Sequence, residues 1–210
     1  MRIGIIGSGN MGSALGKRWA QQGHEVMFSY SRDRAKLEAI AADAGANAQV
    51  GSPAEAVEFG EVILFVVPWK AVNDALTQAG SFSGKVVMSC VNPLKTDLSG
   101  LEVGTSTSGA EEIAKLIPDA KVVEVLFPFA EILQSGSLQF GDEAATQFYC
   151  GDHADAKAIV ASLIAQLGLN PVDAGSLSNA RYLEPLGMLL VQFAYGGGMG
   201  ATIGLKLLQQ

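Results

Sequence analysis

The first twelve residues decide the fold: Met1-Arg2-Ile3-Gly4-Ile5-Ile6 leads directly into Gly7-Ser8-Gly9-Asn10-Met11-Gly12. The short apolar run predicts a buried strand of a parallel sheet. Leu15 and Trp19 follow Met11 at helical spacing, so the glycine-rich segment joins a strand to a helix. This strand–loop–helix context is the one in which G-x-G-x-x-G binds a dinucleotide, and outside it the motif is weak.

Each glycine of the loop has a separate physical role. Gly7 permits a tight turn, Gly9 lets the backbone approach a pyrophosphate, and Gly12 lets the helix pack closely on the strand. The pyrophosphate would then lie at the helix N-terminus, where free N–H groups and the helix dipole favour an anion. We therefore predict a dinucleotide site on residues 7–12.

The residues at the end of the second predicted strand indicate which dinucleotide binds. An NAD enzyme has an acidic residue there, about twenty residues after the loop, to accept hydrogen bonds from the ribose. This chain has Ser31 and Arg32 at that place and Arg34 two residues on, and Asp33 reads as the N-cap of the next helix. A guanidinium can bind a 2′-phosphate that a carboxylate would repel, so we predict NADP(H). The alternative is two solvated arginines at a helix start.

Strand-like and helix-like segments alternate along the chain. Apolar strand segments are predicted at 3–6, 25–30, 62–67, 85–89 and 121–126, with helical periodicity between them. The pattern continues with strands at 146–150 and 170–174, a helix at 153–167 and a long final helix from about residue 177. We predict an α/β fold: a Rossmann-type doubly wound parallel sheet over 1–125, and a small C-terminal α/β extension over 126–210.

Composition excludes some partners and favours a reducing compartment. The chain has 14 Lys and Arg against 21 Asp and Glu, a net charge of −7, which argues against nucleic-acid binding. Cys90 and Cys150 lie far apart in apolar segments without metal-ligand spacing, so we predict two reduced thiols, no metal site and a cytoplasmic protein.

The segment 185–205 carries no charged residue and is nominally long enough to span a bilayer. It also contains six glycines, which suit close approach of another backbone better than a membrane span. We predict a helix buried by its own domain and by a partner subunit, with no membrane association.

Several segments together resemble a known family. They are the glycine loop, Ser31-Arg32, Val66-Val67-Pro68-Trp69, Cys150-Gly151-Asp152, Gly198-Met199-Gly200 and, most specifically, Asp173-Ala174-Gly175-Ser176-Leu177-Ser178-Asn179-Ala180-Arg181. The chain resembles NADP-dependent oxidoreductases that use the deazaflavin coenzyme F420. That family is related to the N-terminal domains of pyrroline-carboxylate reductases and of six-transmembrane metalloreductases.

The resemblance implies roles for particular positions. It implies that residues 8–11 wrap the pyrophosphate and that the Ser31, Arg32 and Arg34 group holds the 2′-phosphate. It places Val67, Pro68 and Trp69 along the adenosine and nicotinamide-ribose side and Asn92 near the nicotinamide. It also implies that the nicotinamide faces the deazaflavin across a cleft between the two parts, and that the tail forms a homodimer interface near the acceptor pocket.

One segment departs from the family pattern. Many relatives carry an Asn-Thr or His-Thr pair where this chain has Leu126-Phe127-Pro128. The exchange of polar for apolar groups suits a flat aromatic substrate stacked on Phe127 and Phe129, or a different substrate. Alternatively, both phenylalanines are ordinary core residues.

No catalytic set is recognisable in the sequence, which agrees with direct hydride transfer between NADP(H) and a deazaflavin or flavin such as coenzyme F420. Two alternatives stay open. One is a small imine or carbonyl reductase using NADPH. A dehydrogenase of alcohols or hydroxy acids would need a proton donor, and Lys95 is the only loop lysine placed for that role. The other is a non-catalytic NADPH-binding sensor.

Overall fold

The computed structural model describes residues 1–127, 129–135 and 138–210. The strands are β1 Arg2–Ile6, β2 Glu25–Ser29, β3 Ala48–Val50, β4 Val62–Phe65, β5 Val86–Ser89, β6 Lys121–Val125, β7 Gln139–Phe140, β8 Glu143–Ala144, β9 Thr146–Gly151 and β10 Asn170–Asp173. The α-helices are α1 Asn10–Gln21, α2 Arg34–Ala44, α3 Pro53–Phe59, α4 Val72–Ala79, α5 Gly109–Leu116, α6 Ala130–Gln134, α7 Ala154–Gln166 and α8 Ala180–Val191.

Eight strands form one sheet in the order β10-β9-β6-β5-β4-β1-β2-β3. All neighbours from β3 to β6 pair in parallel. This is the strand order of a doubly wound dinucleotide-binding sheet, and it confirms the predicted fold class. β9 joins β6 antiparallel, and β10 then pairs with β9 in parallel.

The sheet is covered on both faces. Ile5, Trp19 and Leu163 belong to a core beneath α1, α2, α6 and α7. A second core lies on the other face beneath α3, α4, α5 and α8, and includes Phe65 and Ile113. Because both faces are covered, β4 and β5 are buried at every position, as their unbroken apolar sequences predict.

Two helix starts follow their local sequence. The Asp33 side chain accepts a hydrogen bond from the Lys36 N–H, which confirms the predicted N-cap of α2. Ser52 and Glu55 form a capping box at α3 with Pro53 in the first turn, and these local contacts fix the start of the helix.

The final helix is shorter than predicted. It begins with a 3-10 turn, Leu177–Asn179, continues as α8, and ends in a single π turn at Gln192–Gly196. Gly198 and Gly200 have φ of +71° and +78°, a left-handed conformation that stops a helix, so the prediction of a helix running through the glycines is wrong. Over the described residues, no helix is long and apolar enough to cross a membrane.

The predicted boundary between 1–125 and 126–210 falls just after β6, and the sheet continues across it through β9. Beyond α8 the chain returns to this region: the Thr146 N–H donates to the Leu205 carbonyl, and the Leu207 N–H donates to Thr146 Oγ1. Cys90 and Cys150 are free thiols, as predicted.

Candidate active site

Two cavities lie at the carboxyl ends of the parallel strands, one on each side of the glycine loop. The first, about 960 Å³, is lined by Gly7–Gly9 and by residues that follow β2, β3 and β4. The second, about 300 Å³, is lined by Asn10 and Met11, by residues from the ends of β5 and β6, and by α8. β1 lies between β2 and β4, where the strand order reverses, and this is the place where doubly wound sheets bind ligands.

The three loop glycines fit a dinucleotide cradle. Gly7 has φ of +112°, and a Cβ there would lie 2.3 Å from the Val66 carbonyl oxygen. A Cβ on Gly12 would lie 1.9 Å from the Gly7 carbonyl oxygen, so only glycine allows α1 to pack this closely. A Cβ on Gly9 would meet no described atom within 4 Å, which leaves open space where a pyrophosphate would approach the backbone.

The N-terminus of α1 presents backbone donors to this space. Its N-cap is Gly9, no side chain caps it, and its first turn has no acidic residue. The Ser8 hydroxyl is buried and donates to the Ser29 carbonyl at 2.8 Å. The Ser8 backbone is therefore the part available to a ligand in the cavity, while its side chain holds the loop against β2 through this hydrogen bond.

The residues predicted to bind the 2′-phosphate lie together on the rim of the first cavity. Ser31, Arg32 and Arg34 are exposed and line it. The Arg34 Nε donates to Glu38 at 3.0 Å in an ion pair that leaves the side chain 75% exposed. Lys70 also lines this cavity and adds a third cation that the sequence analysis missed.

Tyr30 is a further lining residue that the sequence did not reveal. It has φ of +58°, and its hydroxyl donates to Asp74 Oδ2 at 2.7 Å, to which Gln78 also donates at 2.8 Å. Burial, and then the Asp74 carboxylate, raise the pKa of Tyr30 to about 12. No sequence signal links Tyr30 to α4, because the partner lies 44 residues away.

The segment after β4 divides between cavity and core. Val67 and Pro68 line the first cavity, as the resemblance implies. Trp69 lines neither cavity: it is half-buried and packs against the core cluster beneath α4 and α5. Its implied contact with the cofactor has no counterpart in these linings.

The second cavity gathers Asn10, Met11, Asn92, Phe127 and Phe129. Phe127 is buried and also belongs to the core beneath α1 and α7. Phe129 is half-buried and packs edge-to-face on Tyr195 of the π turn, with 5.7 Å between ring centroids. Pro128, between them, lies outside the described residues.

Two buried carboxyl groups in this second lining were not predicted. The Glu184 carboxylate accepts hydrogen bonds from the N–H groups of Gly109 and Ala110, at 2.9 and 3.0 Å, and so caps α5. Burial raises its pKa to about 7 even though these two hydrogen bonds lower it. Glu124 in β6 is 4% exposed, and burial, followed by the charge of Glu184, raises its pKa well above the ordinary value. An acidic residue inside an apolar strand was the available sequence signal for Glu124.

The Cys90 thiol also lines the second cavity. Desolvation, and then Glu124, raise its pKa well above the ordinary value, so this thiol stays protonated at neutral pH. A protonated thiol is a poor nucleophile.

Comparison with known proteins supports the same family. Residues 2–93 match the family described as NADP oxidoreductase coenzyme F420-dependent. The chain is 29% identical to the F420-dependent NADP reductase of Methanothermobacter marburgensis, over 91% of each chain. It is 28% identical to rat metalloreductase STEAP3 over 90% of its own length but spans only 37% of that protein.

Solved structures share the fold over the whole chain. A protein from Arthrobacter sp. FB24, named as a candidate F420-dependent NADP reductase, is 26% identical with a TM-score of 0.85, covering 99% of both chains. A reductive aminase from Aspergillus terreus in complex with NADPH is 20% identical with a TM-score of 0.68, and the match covers 62% of that chain, which is a likeness of fold alone. The resemblance predicted from the sequence is therefore confirmed, and residues 2–93 of this chain carry the match to the coenzyme F420-dependent NADP oxidoreductase family.

Proposed function

We propose that this chain is an NADP-dependent oxidoreductase that transfers a hydride between NADP(H) and a deazaflavin- or flavin-like acceptor such as coenzyme F420. One observation carries the proposal: a single glycine loop borders two cavities of different chemistry. Gly7–Gly9 border a large cavity rimmed by cations, and Asn10 and Met11 border a smaller, largely apolar one. A dinucleotide crossing the loop would place its phosphates in the first and its nicotinamide in the second.

The residues of the first cavity suit the two charged parts of NADP(H). The backbone of residues 8–11 and the α1 N-terminus would hold the pyrophosphate. The 2′-phosphate would be bound by Ser31, Arg32, Arg34 and Lys70. Exposed cations can form ion pairs with a phosphate, which a carboxylate would repel. Val67 and Pro68 would border the adenosine.

The second cavity would position the ring of the acceptor against the nicotinamide. Met11, Phe127 and Phe129 provide apolar surface, and α8 covers the site. Hydride transfer requires the two rings to be close, aligned and shielded from water. These residues would orient the rings and shield them from water.

The experiment that tests this proposal is an oxidation assay. Protein and NADPH are mixed with coenzyme F420, then FMN, then a ferric chelate, then a cyclic imine, and the nicotinamide absorbance is followed. We expect oxidation with coenzyme F420 or FMN. Oxidation with the imine alone would support a small imine or carbonyl reductase, and oxidation with the ferric chelate alone a metalloreductase module. Tight NADPH binding without oxidation would support a sensor.

We also propose a homodimer formed through the end of the chain. Leu189, Phe193, Tyr195 and Met199 expose between 42% and 64% of their surface on α8, the π turn and the segment after it. A partner copy would bury this apolar surface next to the second cavity. Light scattering at micromolar concentration is expected to give twice the chain mass of 21.8 kDa, and a monomer would contradict the proposal.

We further propose that the protein works in the cytoplasm, since its two cysteines are unpaired and Cys150 is buried. Cell fractionation with thiol labelling is expected to find it reduced in the cytoplasmic fraction.

A further inference from the structure

Two polar atoms beside the second cavity have no hydrogen-bond partner among the described residues. They are Glu124 Oε2 and Asn92 Oδ1, and both are shielded from solvent. The residues that carry them both line the cavity. Buried polar atoms in proteins are nearly always paired, so two unpaired atoms carried by residues of one cavity lining require an explanation.

The surroundings of Glu124 hold its carboxyl group in the neutral form. Among the described residues lining this cavity there is no lysine, arginine or histidine, and the titratable residues beside Glu124 are Cys90, Glu131, Glu184 and Tyr195. On β9 the opposing residue is Cys150. On β5, the opposing residue is Ser89. Without a counter-ion, a buried carboxyl group keeps its proton and becomes a hydrogen-bond donor.

Asn92 has the complementary role. Its Nδ2 donates to the Glu184 carbonyl at 3.4 Å, which leaves Oδ1 as a free acceptor. The side chain is held in place by α8, since a Cβ on Gly187 would lie 2.7 Å from Asn92 Nδ2. The cavity lining therefore includes a donor at Glu124 and an acceptor at Asn92.

We propose that Glu124 and Asn92 together bind an amide edge, –C(=O)–NH–, of the ligand in the second cavity. Glu124 donates to the carbonyl oxygen and Asn92 accepts from the N–H. This inference rests on the proposed function, where two sources have this chemistry: the carboxamide of the nicotinamide and the pyrimidinedione edge of a flavin or deazaflavin. Both residues are specificity determinants, and neither exchanges atoms with the substrate.

The test measures binding by calorimetry rather than turnover. The variants are Glu124→Leu, which removes the donor, Glu124→Gln, which restores one, and Asn92→Leu, which removes the acceptor. The first probe, 2′,5′-ADP, has no amide edge. NADP⁺ is compared with its 3-acetylpyridine analogue, which lacks the N–H of the carboxamide. Lumiflavin is compared with 3-methyllumiflavin, which lacks the ring N–H, in the presence of NADP⁺. Because 2′,5′-ADP reaches only the first cavity, it is the internal control for folding.

If the nicotinamide is the source, we expect Glu124→Leu and Asn92→Leu each to weaken NADP⁺ binding about tenfold, with Glu124→Gln near the wild type and 2′,5′-ADP unchanged. The acetylpyridine analogue should lose affinity in the wild type but lose no more in Asn92→Leu. If the acceptor is the source, the same losses should appear for lumiflavin and be absent for 3-methyllumiflavin, with NADP⁺ unchanged.

Equal binding of all probes by wild type and variants would overturn the proposal, and so would losses that include 2′,5′-ADP. Should Glu124→Leu fail to fold, the wild-type comparison of each ligand with its N–H-deficient analogue decides, and equal affinities overturn the inference. Failure of the proposed function looks different: the wild type would then either not bind 2′,5′-ADP or bind NADPH without oxidising it in the acceptor assay.

Discussion

The two cavities differ in how their residues are distributed along the chain. The first is built from segments before residue 79, each following one of the first four strands directly. The second combines the glycine loop with residues from 90–94, 124–131 and 183–195. Under the proposed function, phosphate recognition would depend on local backbone and exposed cations, whereas ring recognition would depend on segments brought together from the whole chain.

The sharpest way to break this comparison uses two glycines of one loop. Gly12→Ala places a Cβ 1.9 Å from a backbone oxygen and is expected to lower the free energy of unfolding by about 4 kcal/mol or more. Gly9→Ala meets no protein atom and Gly9 has extended φ and ψ that alanine tolerates, so its stability should hold while NADPH binding is lost. Denaturant unfolding and NADPH titration measure the two effects. A Gly9→Ala protein that binds NADPH normally would remove the pyrophosphate assignment.

Substitution of the two phenylalanines of the second cavity distinguishes a residue of the core, Phe127, from a candidate ligand-binding residue, Phe129. Phe127→Ala is expected to cost about 3–5 kcal/mol of stability, because the side chain is part of the core. Phe129→Ala removes a half-buried ring that contacts Tyr195, so it should change stability less and weaken acceptor binding more. Urea unfolding and the Michaelis constant for the acceptor distinguish them. If Phe129→Ala leaves that constant unchanged, Phe129 has no role in acceptor binding.

Glu184 makes the second cavity sensitive to pH. Its folded-state pKa is about 7, above the ordinary value of 4.5, so the folded protein binds this proton more tightly than the unfolded chain does. The resulting stabilisation is present below pH 4.5 and is lost as pH rises to about 7, by up to roughly 3 kcal/mol. Unfolding free energies measured across this range should show the decline, and Glu184→Gln should flatten it. An equal decline in Glu184→Gln would assign the effect to another group.

The cation rim gives the smallest expected effect. Arg32→Ala should raise the KM for NADPH about 10- to 100-fold and leave the KM for NADH little changed. Arg34→Ala should do less, since Arg34 already pairs with Glu38. Lys36→Ala, on the same helix but outside the cavity lining, is the matched control. Equal changes for NADPH and NADH would rule out recognition of the 2′-phosphate.

Features that depend on neighbouring residues were predictable. The glycine loop, the Asp33 cap and the capping box of Ser52 and Glu55 each depend on contacts within a few residues. The local sequence is therefore enough to predict them. The parallel sheet followed from apolar strands alternating with helices, because parallel strands need such crossovers.

Features that depend on distant partners were not predictable. β9 pairs antiparallel with β6, and the residues of β9 do not indicate whether its neighbour runs parallel or antiparallel to it. Tyr30 finds Asp74, and Glu184 caps α5 from 74 and 75 residues away. The end of the final helix was misplaced because two glycines after it, Gly198 and Gly200, adopt a left-handed conformation that glycine permits but does not require.

The order of residues alone therefore determined the Rossmann-type sheet, and it predicted a dinucleotide loop and a cation group for NADP(H), since these follow from chain periodicity, glycine sterics and local charge. Folding was needed to bring Glu124 and Asn92 into one cavity lining and to leave each with a polar atom that has no partner among the described residues. The protonation of a buried carboxyl group and the pairing of a buried amide depend on what surrounds them. For these two residues the surroundings are assembled from β5, β6 and α8, which lie far apart along the chain.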